Sequence, residues 1–128
     1  MTTPSTPESG AQMAQRFRDA ALRFSRPRDV HADMLVRFGG APLLVRIRNG
    51  QVASAEVPSA PLPSCHFALT ASVAAWTRFW QPVPEAGWHD LFALSKRCEM
   101  SIEGDLRPLM ANLQFIKDLL ATGREAGA

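Results

Sequence analysis

The dipeptide of Asn49 and Gly50 lies between two runs that alternate apolar and more polar residues, and it constrains the fold more than any other feature. Apolar residues recur at every second position over 43–47, and residues 51–57 are expected to form a returning strand. Asn and Gly tolerate the positive φ angles that a two-residue type I′ turn requires. The sequence therefore predicts an antiparallel hairpin with one buried face.

The same two-residue period predicts three more strands. Residues 30–38 alternate before the hairpin, and Gly39 with Gly40 supplies the turn between the two. A loop with three prolines follows the hairpin, since proline cannot donate to a strand ladder. Residues 65–70 form the fourth alternating run and residues 98–103 the fifth, with one solvated face.

Helical spacing predicts helices on both sides of these strands. Residues 6–8 (Thr-Pro-Glu) have the pattern of an N-cap, a first-turn proline and a first-turn acid, and Pro27 ends this helix. Two short helices are expected at 73–80 and 88–94. Asp105 then caps a long amphipathic helix whose apolar arc comprises Leu106, Leu109, Met110, Leu113, Ile116 and Leu120.

Helices that segregate from a hairpin-built sheet are typical of the α+β class. We predict a five-stranded, mostly antiparallel sheet on which an N-terminal helix, two short helices and a long C-terminal helix pack. The domain is expected at 7–122, with a disordered tail at 1–6 and a frayed tail at 123–128.

Length and composition exclude several classes of protein. With 128 residues, of which 46% are hydrophobic and 20% charged, the chain forms one globular domain that needs no disulfide or structural metal. No run approaches the ~20 apolar residues that cross a bilayer. The polar, proline-rich start lacks the pattern of a secretory signal, so we expect a cytoplasmic protein with reduced cysteines.

The basic residues are almost all arginines. Only Lys96 and Lys117 are lysines among the 14 Lys and Arg residues, and the net charge is +2. A nucleic-acid surface interleaves exposed aromatic residues with its cations, whereas Phe17, Phe24 and Phe38 are in phase with buried positions. We therefore expect no nucleic-acid partner, and interpret the arginines as a solvated face that touches at most an anionic ligand head group.

No arrangement of reactive residues predicts catalysis. His89 and Asp90 are neighbours on a predicted helix and do not face each other. Cys65 and His66 point to opposite faces of a strand. Cys65 and Cys98 are in phase with apolar residues, so both are expected to be small buried hydrophobes. The sequence predicts no catalytic residue, no metal site and no cofactor, and therefore no enzyme.

The late part of the chain carries more apolar side chains than its short helices need. Five of the ten aromatic residues fall between Trp76 and Phe92, and Phe115 and Leu119 lie outside the apolar arc of the last helix. Such side chains contact another subunit, line an internal cavity or lid, or belong to an ordinary core. Methionines at 34, 100 and 110 would give a cavity an adaptable lining.

The order of elements, together with two segments, resembles the sterol carrier protein 2 (sterol-binding domain) superfamily. The segments are residues 67–72 (Phe-Ala-Leu-Thr-Ala-Ser) and residues 102–105 (Ile-Glu-Gly-Asp), and the resemblance covers about residues 10–122. It implies an apolar tunnel for fatty acyl chains or sterols in a module that is not itself catalytic. By position, the implied lining residues are Trp76, Phe79, Trp80, Phe92, Met100, Ile102, Met110, Leu113 and Ile116.

Two features depart from the family pattern. Residues 81–87 are rich in proline where many members have a short loop with glycine, so the tunnel mouth is expected to differ. The last residues are not a peroxisomal address, and a peroxisomal role is not expected.

The function expected from the sequence is a binding or carrier module for a hydrophobic small molecule. The alternative is a non-catalytic dimerisation or accessory module for a partner enzyme, in which Phe115, Leu119 and the tryptophans form the interface of a homodimer.

Overall fold

The computed structural model describes residues 9–59, 64–81, 83–88 and 90–126. The expected tail at 1–6 and the helix start at 6–8 lie outside these residues. The elements in chain order are α1 (Gly10–Ala21), β1 (Ala32–Phe38), β2 (Ala41–Arg48), β3 (Gln51–Glu56), β4 (Phe67–Ala71), α2 (Val73–Phe79), α3 (Leu91–Lys96), β5 (Met100–Gly104), α4 (Arg107–Ala111), α5 (Leu113–Leu120) and α6 (Thr122–Ala126).

The five strands form one sheet in the order β3-β2-β1-β4-β5. The β1–β2, β2–β3 and β4–β5 pairs are antiparallel and the β1–β4 pair is parallel, so the predicted α+β class and mostly antiparallel sheet are confirmed. The predicted hairpin turn also forms, because Asn49 (φ 53°) and Gly50 (φ 73°) both adopt positive φ angles.

Helices cover one face of the sheet, and the strand sequences select that face. Met34, Val36 and Phe38 of β1 are fully buried beneath the helices. The alternate positions on β1 and β2 include Arg37 and Arg46, which are partly exposed on the opposite face. This division follows from the two-residue period, which sends successive side chains to opposite faces.

The first helix begins with a reciprocal cap and ends earlier than predicted. The Ser9 hydroxyl accepts the Gln12 N–H, and the Gln12 side chain accepts the Ser9 N–H. The helix ends at Ala21 rather than near Pro27. Phe24 is still buried, because its ring packs edge-on against Phe115 with 5.2 Å between centroids.

The prediction of one long C-terminal helix is wrong. The chain forms three short helices, α4, α5 and α6, between Arg107 and Ala126. Asn112 interrupts the helix with φ −125° and ψ 34°. Its side-chain amide donates to the Pro108 carbonyl at 2.9 Å, a local bond of the kind that competes with regular helix hydrogen bonds. The expected cap also moves by one residue: Leu106 precedes α4, while Asp105 accepts the Arg107 N–H at 3.1 Å.

This break changes which side chains of the terminal region point inward. Phe115 and Leu119, which an unbroken helix would place outside its apolar arc, are 1% and 0% exposed. Met110, expected in that arc, is 56% exposed. The expectation that Phe115 and Leu119 form a subunit interface is therefore wrong, since both belong to the core of the chain itself.

Helical structure continues past residue 122, where a frayed tail was expected. Residues 123–126 belong to α6 and are not frayed, and α6 packs on α1. Gly123 is buried and lies so close to the Trp80 indole that a Cβ atom would overlap the ring. The helix therefore closes the helical layer against α1 and α2.

A first prediction concerns the hairpin turn. In Gly50→Ala, the new Cβ would meet the Arg26 and Arg28 carbonyl oxygens at 2.2 and 2.5 Å, in a backbone conformation that alanine rarely adopts. We expect the free energy of unfolding, measured with urea, to fall by about 2 kcal/mol or more. Gly40→Ala is the matched control, since no atom lies within 4 Å of its added Cβ, and it should change stability by no more than about 0.5 kcal/mol.

A second prediction distinguishes a core role of Phe115 from an interface role. Phe115→Ala should destabilise the chain by about 3–5 kcal/mol, because it opens a cavity beside Phe24. Phe115→Leu should cost less than about 1.5 kcal/mol. Urea unfolding and size-exclusion chromatography test this; an altered elution volume with unchanged stability would show that the ring contacts a second subunit instead.

Candidate apolar ligand site

The nine predicted lining residues fall into two groups. Five are buried in the core, and four are partly or largely exposed on α3, β5, α4 and α5. The inner group is Trp76, Phe79, Trp80, Met100 and Ile116, and the outer group is Phe92, Ile102, Met110 and Leu113.

The inner group centres on an aromatic cluster carried by α2. The helix starts after Ser72, whose hydroxyl accepts the Ala75 N–H at 3.0 Å. The ring centroids of Trp76 and Trp80 lie 5.3 Å apart, and both lie within 5.4 Å of the Phe38 centroid on β1. These are the separations at which aromatic pairs attract each other beyond simple burial.

Both buried indole N–H groups of this cluster have partners. Trp76 Nε1 donates to the Arg37 carbonyl at 3.0 Å, which ties α2 to the end of β1. Trp80 Nε1 donates to the Leu120 carbonyl at 2.9 Å, which ties α2 to the end of α5. A satisfied buried donor fixes ring orientation, so this half of the helical layer is held firmly.

Arg124 of α6 strengthens the same half of the layer. Its guanidinium donates to the Phe79 carbonyl at 2.6 and 3.2 Å and lies over the Phe79 ring. Burial lowers the pKa of Arg124 from its ordinary value. The bond caps a free carbonyl near the end of α2. The sequence prediction missed this contact because it assigned residue 124 to a frayed tail.

Two members of the outer group, Ile102 and Phe92, lie at the edge strand of the sheet. Ile102 pairs with the buried Leu69, so it lies on the helix-covered face of the edge strand β5. The helix α3, which carries Phe92, packs on β5. We call the partly or largely exposed apolar side chains of this region the outer apolar surface; they are Phe92, Ile102, Leu106, Met110 and Leu113.

The helix α4 carries Met110 of this surface and follows β5 directly in the chain. Its one buried residue is Leu109, and it packs on α5. Its first turn is held by Asp105 and Arg107, whose side chains pair at 3.0 Å. That hydrogen bond holds the pKa of Asp105 below its ordinary value. A five-residue helix with one buried anchor opens more easily than helices fixed by large buried side chains.

A charged pair lies at the rim of the outer apolar surface. Lys117 Nζ contacts Asp90 Oδ1 at 3.1 Å and lies 5.9 Å from the Phe92 ring centroid. Lys117 is four residues after Leu113, so both lie on one side of α5. The four-residue spacing is present in the sequence, but the contact of Lys117 with Asp90 depends on how α3 and α5 pack. One cation, Lys117, and one anion, Asp90, therefore lie beside apolar side chains.

Two recesses lie elsewhere on the described surface, and none of the nine predicted residues lines them. One of about 360 Å³ lies at the β4–α2 junction and is lined by Gly39, Thr70, Ala71, Ser72, Cys98, Glu99 and Ser101. One of about 210 Å³ lies between α1 and the start of β2 and is lined by Ala11, Ala14, Gln15, Arg18, Ala41, Pro42, Leu43 and Val57.

The environments of the two cysteines differ from those predicted. Cys98 is exposed and has a φ of 59°, because it lies in the turn before β5 rather than in the strand. Cys65 is half-buried. The expectation that both are small buried hydrophobes is therefore wrong.

The histidine next to Cys65 has a structural role. His66 Nδ1 accepts the Asp33 N–H at 2.9 Å, which gives it a structural partner. His89 lies outside the described residues. Within the described ranges, no three His, Cys, Asp or Glu residues are grouped to hold a metal, and no helix there is long and apolar enough to span a membrane.

Comparisons with known proteins add a structural likeness. No protein-family model matches the sequence, and no curated protein matches it. A crystal structure of sterol carrier protein 2 superposes over 88% of this chain and 94% of its own, with a TM-score of 0.64 and 14% identity. Sterol carrier protein 2 from Yarrowia lipolytica covers 97% and 98%, with a TM-score of 0.57 and 12% identity.

A third structure, titled UbiJ-SCP2 ubiquinone synthesis protein, matches over 98% of this chain and 97% of its own, with a TM-score of 0.51 and 16% identity. Together with the strand order and the helices on one face, these likenesses confirm the expected architecture. The chain therefore has the same fold as sterol carrier protein 2.

Proposed function

We propose that this protein binds a hydrophobic small molecule, a fatty acyl or sterol-like lipid, between the outer apolar surface and the inner aromatic cluster. The observation that carries the proposal is the outer apolar surface itself, which leaves Phe92, Ile102 and Leu113 incompletely buried within this fold. Apolar side chains left partly exposed beside a charged pair are a feature of ligand and partner sites. The proposed role is binding, with no chemical step.

The inner group forms the floor of the proposed site. The aromatic cluster of α2 is already packed against β1, so a ligand gains room by displacing α4 rather than by entering the cluster. In that arrangement Met110 turns inward and covers the guest, and the site becomes an internal tunnel. The flexible thioether of methionine suits a lining that fits several ligands.

Burial of an acyl chain supplies enough free energy for this binding. A sixteen-carbon chain gains of order 10 kcal/mol at about 0.8 kcal/mol per buried CH₂, before the ordering costs are subtracted. The rim of Lys117 and Asp90 lies beside the apolar region, so the Lys117 ammonium is placed to meet a carboxylate head group. We therefore expect micromolar affinity or better for long-chain fatty acids.

A second candidate is an accessory role beside an enzyme that acts on a lipid. The likeness to a structure titled as a ubiquinone synthesis protein favours it. The two functions share the lipid site and differ in whether the cargo passes to an enzyme. Copurification of lipid without any enzyme would support the carrier, whereas stimulation of an enzyme by the protein would support the accessory role.

A third prediction tests whether the protein holds a guest. Protein purified without detergent should yield stoichiometric fatty acid or another lipid when an organic extract is measured by mass spectrometry, because burial of the chain slows its release. Delipidated protein should then bind a fluorescent fatty acid with a dissociation constant in the micromolar range. Absence of both extracted lipid and fluorescent-ligand binding would contradict the proposal.

A fourth prediction places the guest. Phe92→Ala and Leu113→Gln each remove apolar contact area from the outer surface, and each should weaken fluorescent fatty-acid binding about tenfold or more. Leu44→Gln is the matched control, because Leu44 is also half-buried but lies on the sheet face opposite the helices. Unfolding curves check that all three variants fold, and equal losses from Leu113→Gln and Leu44→Gln would place the ligand elsewhere.

A further inference from the structure

An ion pair bridges the two sides of the outer apolar surface. On one side α3 packs on β5, and on the other side α4 packs on α5. Lys117 of α5 contacts Asp90, the residue that precedes α3, with 3.1 Å between Nζ and Oδ1. Because this pair links one side to the other at the rim of the surface, we call the pair of Lys117 and Asp90 the latch.

Asp90 does not make the hydrogen bond that its position offers. It is the N-cap residue of α3, where an aspartate side chain commonly accepts a backbone N–H of the first turn and stabilises the helix by about 1 kcal/mol. No such bond forms here, and the carboxylate contacts Lys117 of α5 instead. Asp90 therefore has alternative donors in its own helix, which become available when it leaves Lys117.

The latch is weakly held. Asp90 Oδ1 is buried from solvent, yet no described residue, Lys117 included, donates an aligned hydrogen bond to it. The side chains of Lys117 and Asp90 are 34% and 26% exposed. An ion pair of this exposure contributes at most about 1 kcal/mol, so a second carboxylate competes with Asp90 for Lys117 on nearly equal terms.

The cation of the latch lies where the apolar side chains begin. The Phe92 ring centroid is 5.9 Å from Lys117 Nζ, so the ammonium lies near an aromatic ring of the outer apolar surface as well as the Asp90 carboxylate. Leu113 lies one turn before Lys117 on the same side of α5. A head group bound at Lys117 therefore directs its chain onto Phe92 and Leu113.

We infer that the latch is a head-group site that selects lipid acids, because a guest carboxylate takes the place of Asp90 at Lys117. The inference rests on the proposed function and narrows its ligand class to lipids with a carboxylate head group, such as free fatty acids. In the exchange, the Asp90 side chain turns to the N–H groups of α3, and the latch no longer bridges the two sides of the outer apolar surface. The acyl chain then lies between these sides.

Exchange at the latch separates acids from neutral lipids. For a fatty acid, one ion pair replaces another and Asp90 gains a cap, so opening the latch costs little. For an alcohol with the same chain, the ion pair is lost and no charge replaces it. A loss of about 1 kcal/mol corresponds to about fivefold in a binding constant, so we expect a preference for the acid of about fivefold or more.

The experiment compares laurate with dodecanol, which have chains of equal length and differ in the head group. Each lipid displaces Nile red, an uncharged fluorescent dye, from the delipidated whole chain. The parent should bind laurate about fivefold or more tightly than dodecanol. Lys117→Gln should abolish this preference and should also raise the affinity for dodecanol about fivefold, because no ion pair remains to be opened.

Asp90→Asn should strengthen the binding of both lipids. Asparagine keeps the shape and the capping ability of the side chain but removes the competing charge. The affinity for each lipid should therefore rise about fivefold, and the preference for laurate should remain. The double variant should bind dodecanol no more tightly than either single variant, because the same ion pair is absent in all three.

Asp33→Asn is the matched control. It removes the same charge and breaks the ion pairs with Arg46 and Arg48, but on the sheet face opposite the helices. Its affinities for laurate and dodecanol should stay within twofold of those of the parent. Unfolding curves check that every variant folds.

Dodecanol binding decides whether the latch exchanges. Unchanged dodecanol affinity in both single variants would overturn the inference, since Lys117 would then contact head groups without releasing Asp90. Equal changes in Asp33→Asn would overturn it too, as would a parent that does not prefer laurate. A parent that binds neither lipid would contradict the proposed function and the latch with it, whereas parent-like variants of a lipid-binding parent would contradict the latch alone.

Discussion

The packing of two tryptophans between the sheet and the terminal helices is the interaction on which the rest of this structure depends. Trp76 and Trp80 contact Phe38 of the central strand β1, and their N–H groups bind carbonyls of β1 and α5. Gly123 allows α6 to approach the second indole closely. The cluster therefore joins the sheet, α2 and the chain end into one packed unit.

The two parts of the helical layer are therefore packed with unequal firmness. Over the centre of the sheet, large buried side chains and satisfied donors resist opening, whereas the five-residue helix α4, which follows β5 in the chain, has Leu109 as its one buried residue. Because ligand sites are drawn from the less stable parts of a fold, the firm half and the loose half suit different tasks. The firm half maintains the structure, and the loose half is where a hydrophobic guest is proposed to enter.

The two parts of the proposed site use different physical forces. The outer apolar surface offers area for burial, which holds a guest with little dependence on salt. The latch offers one cation, Lys117, whose attraction for a carboxylate is modest and weakened by salt. Apolar contact therefore supplies most of the affinity, and the latch is proposed to select lipids by their head group.

The sequence alone determined the strands, the hairpin and the face that each strand buries, since the two-residue period and the Asn49–Gly50 turn are local. The parallel pairing of β1 with β4 depends on contacts between distant segments. The sequence did not determine that the C-terminal region forms three short helices instead of one long helix. A helical period continues through Asn112, so only packing could reveal the break that turns Phe115 inward and Met110 outward. The nine lining residues were chosen by resemblance, and their separation into a buried and an exposed group depends on long-range contacts that no local pattern records.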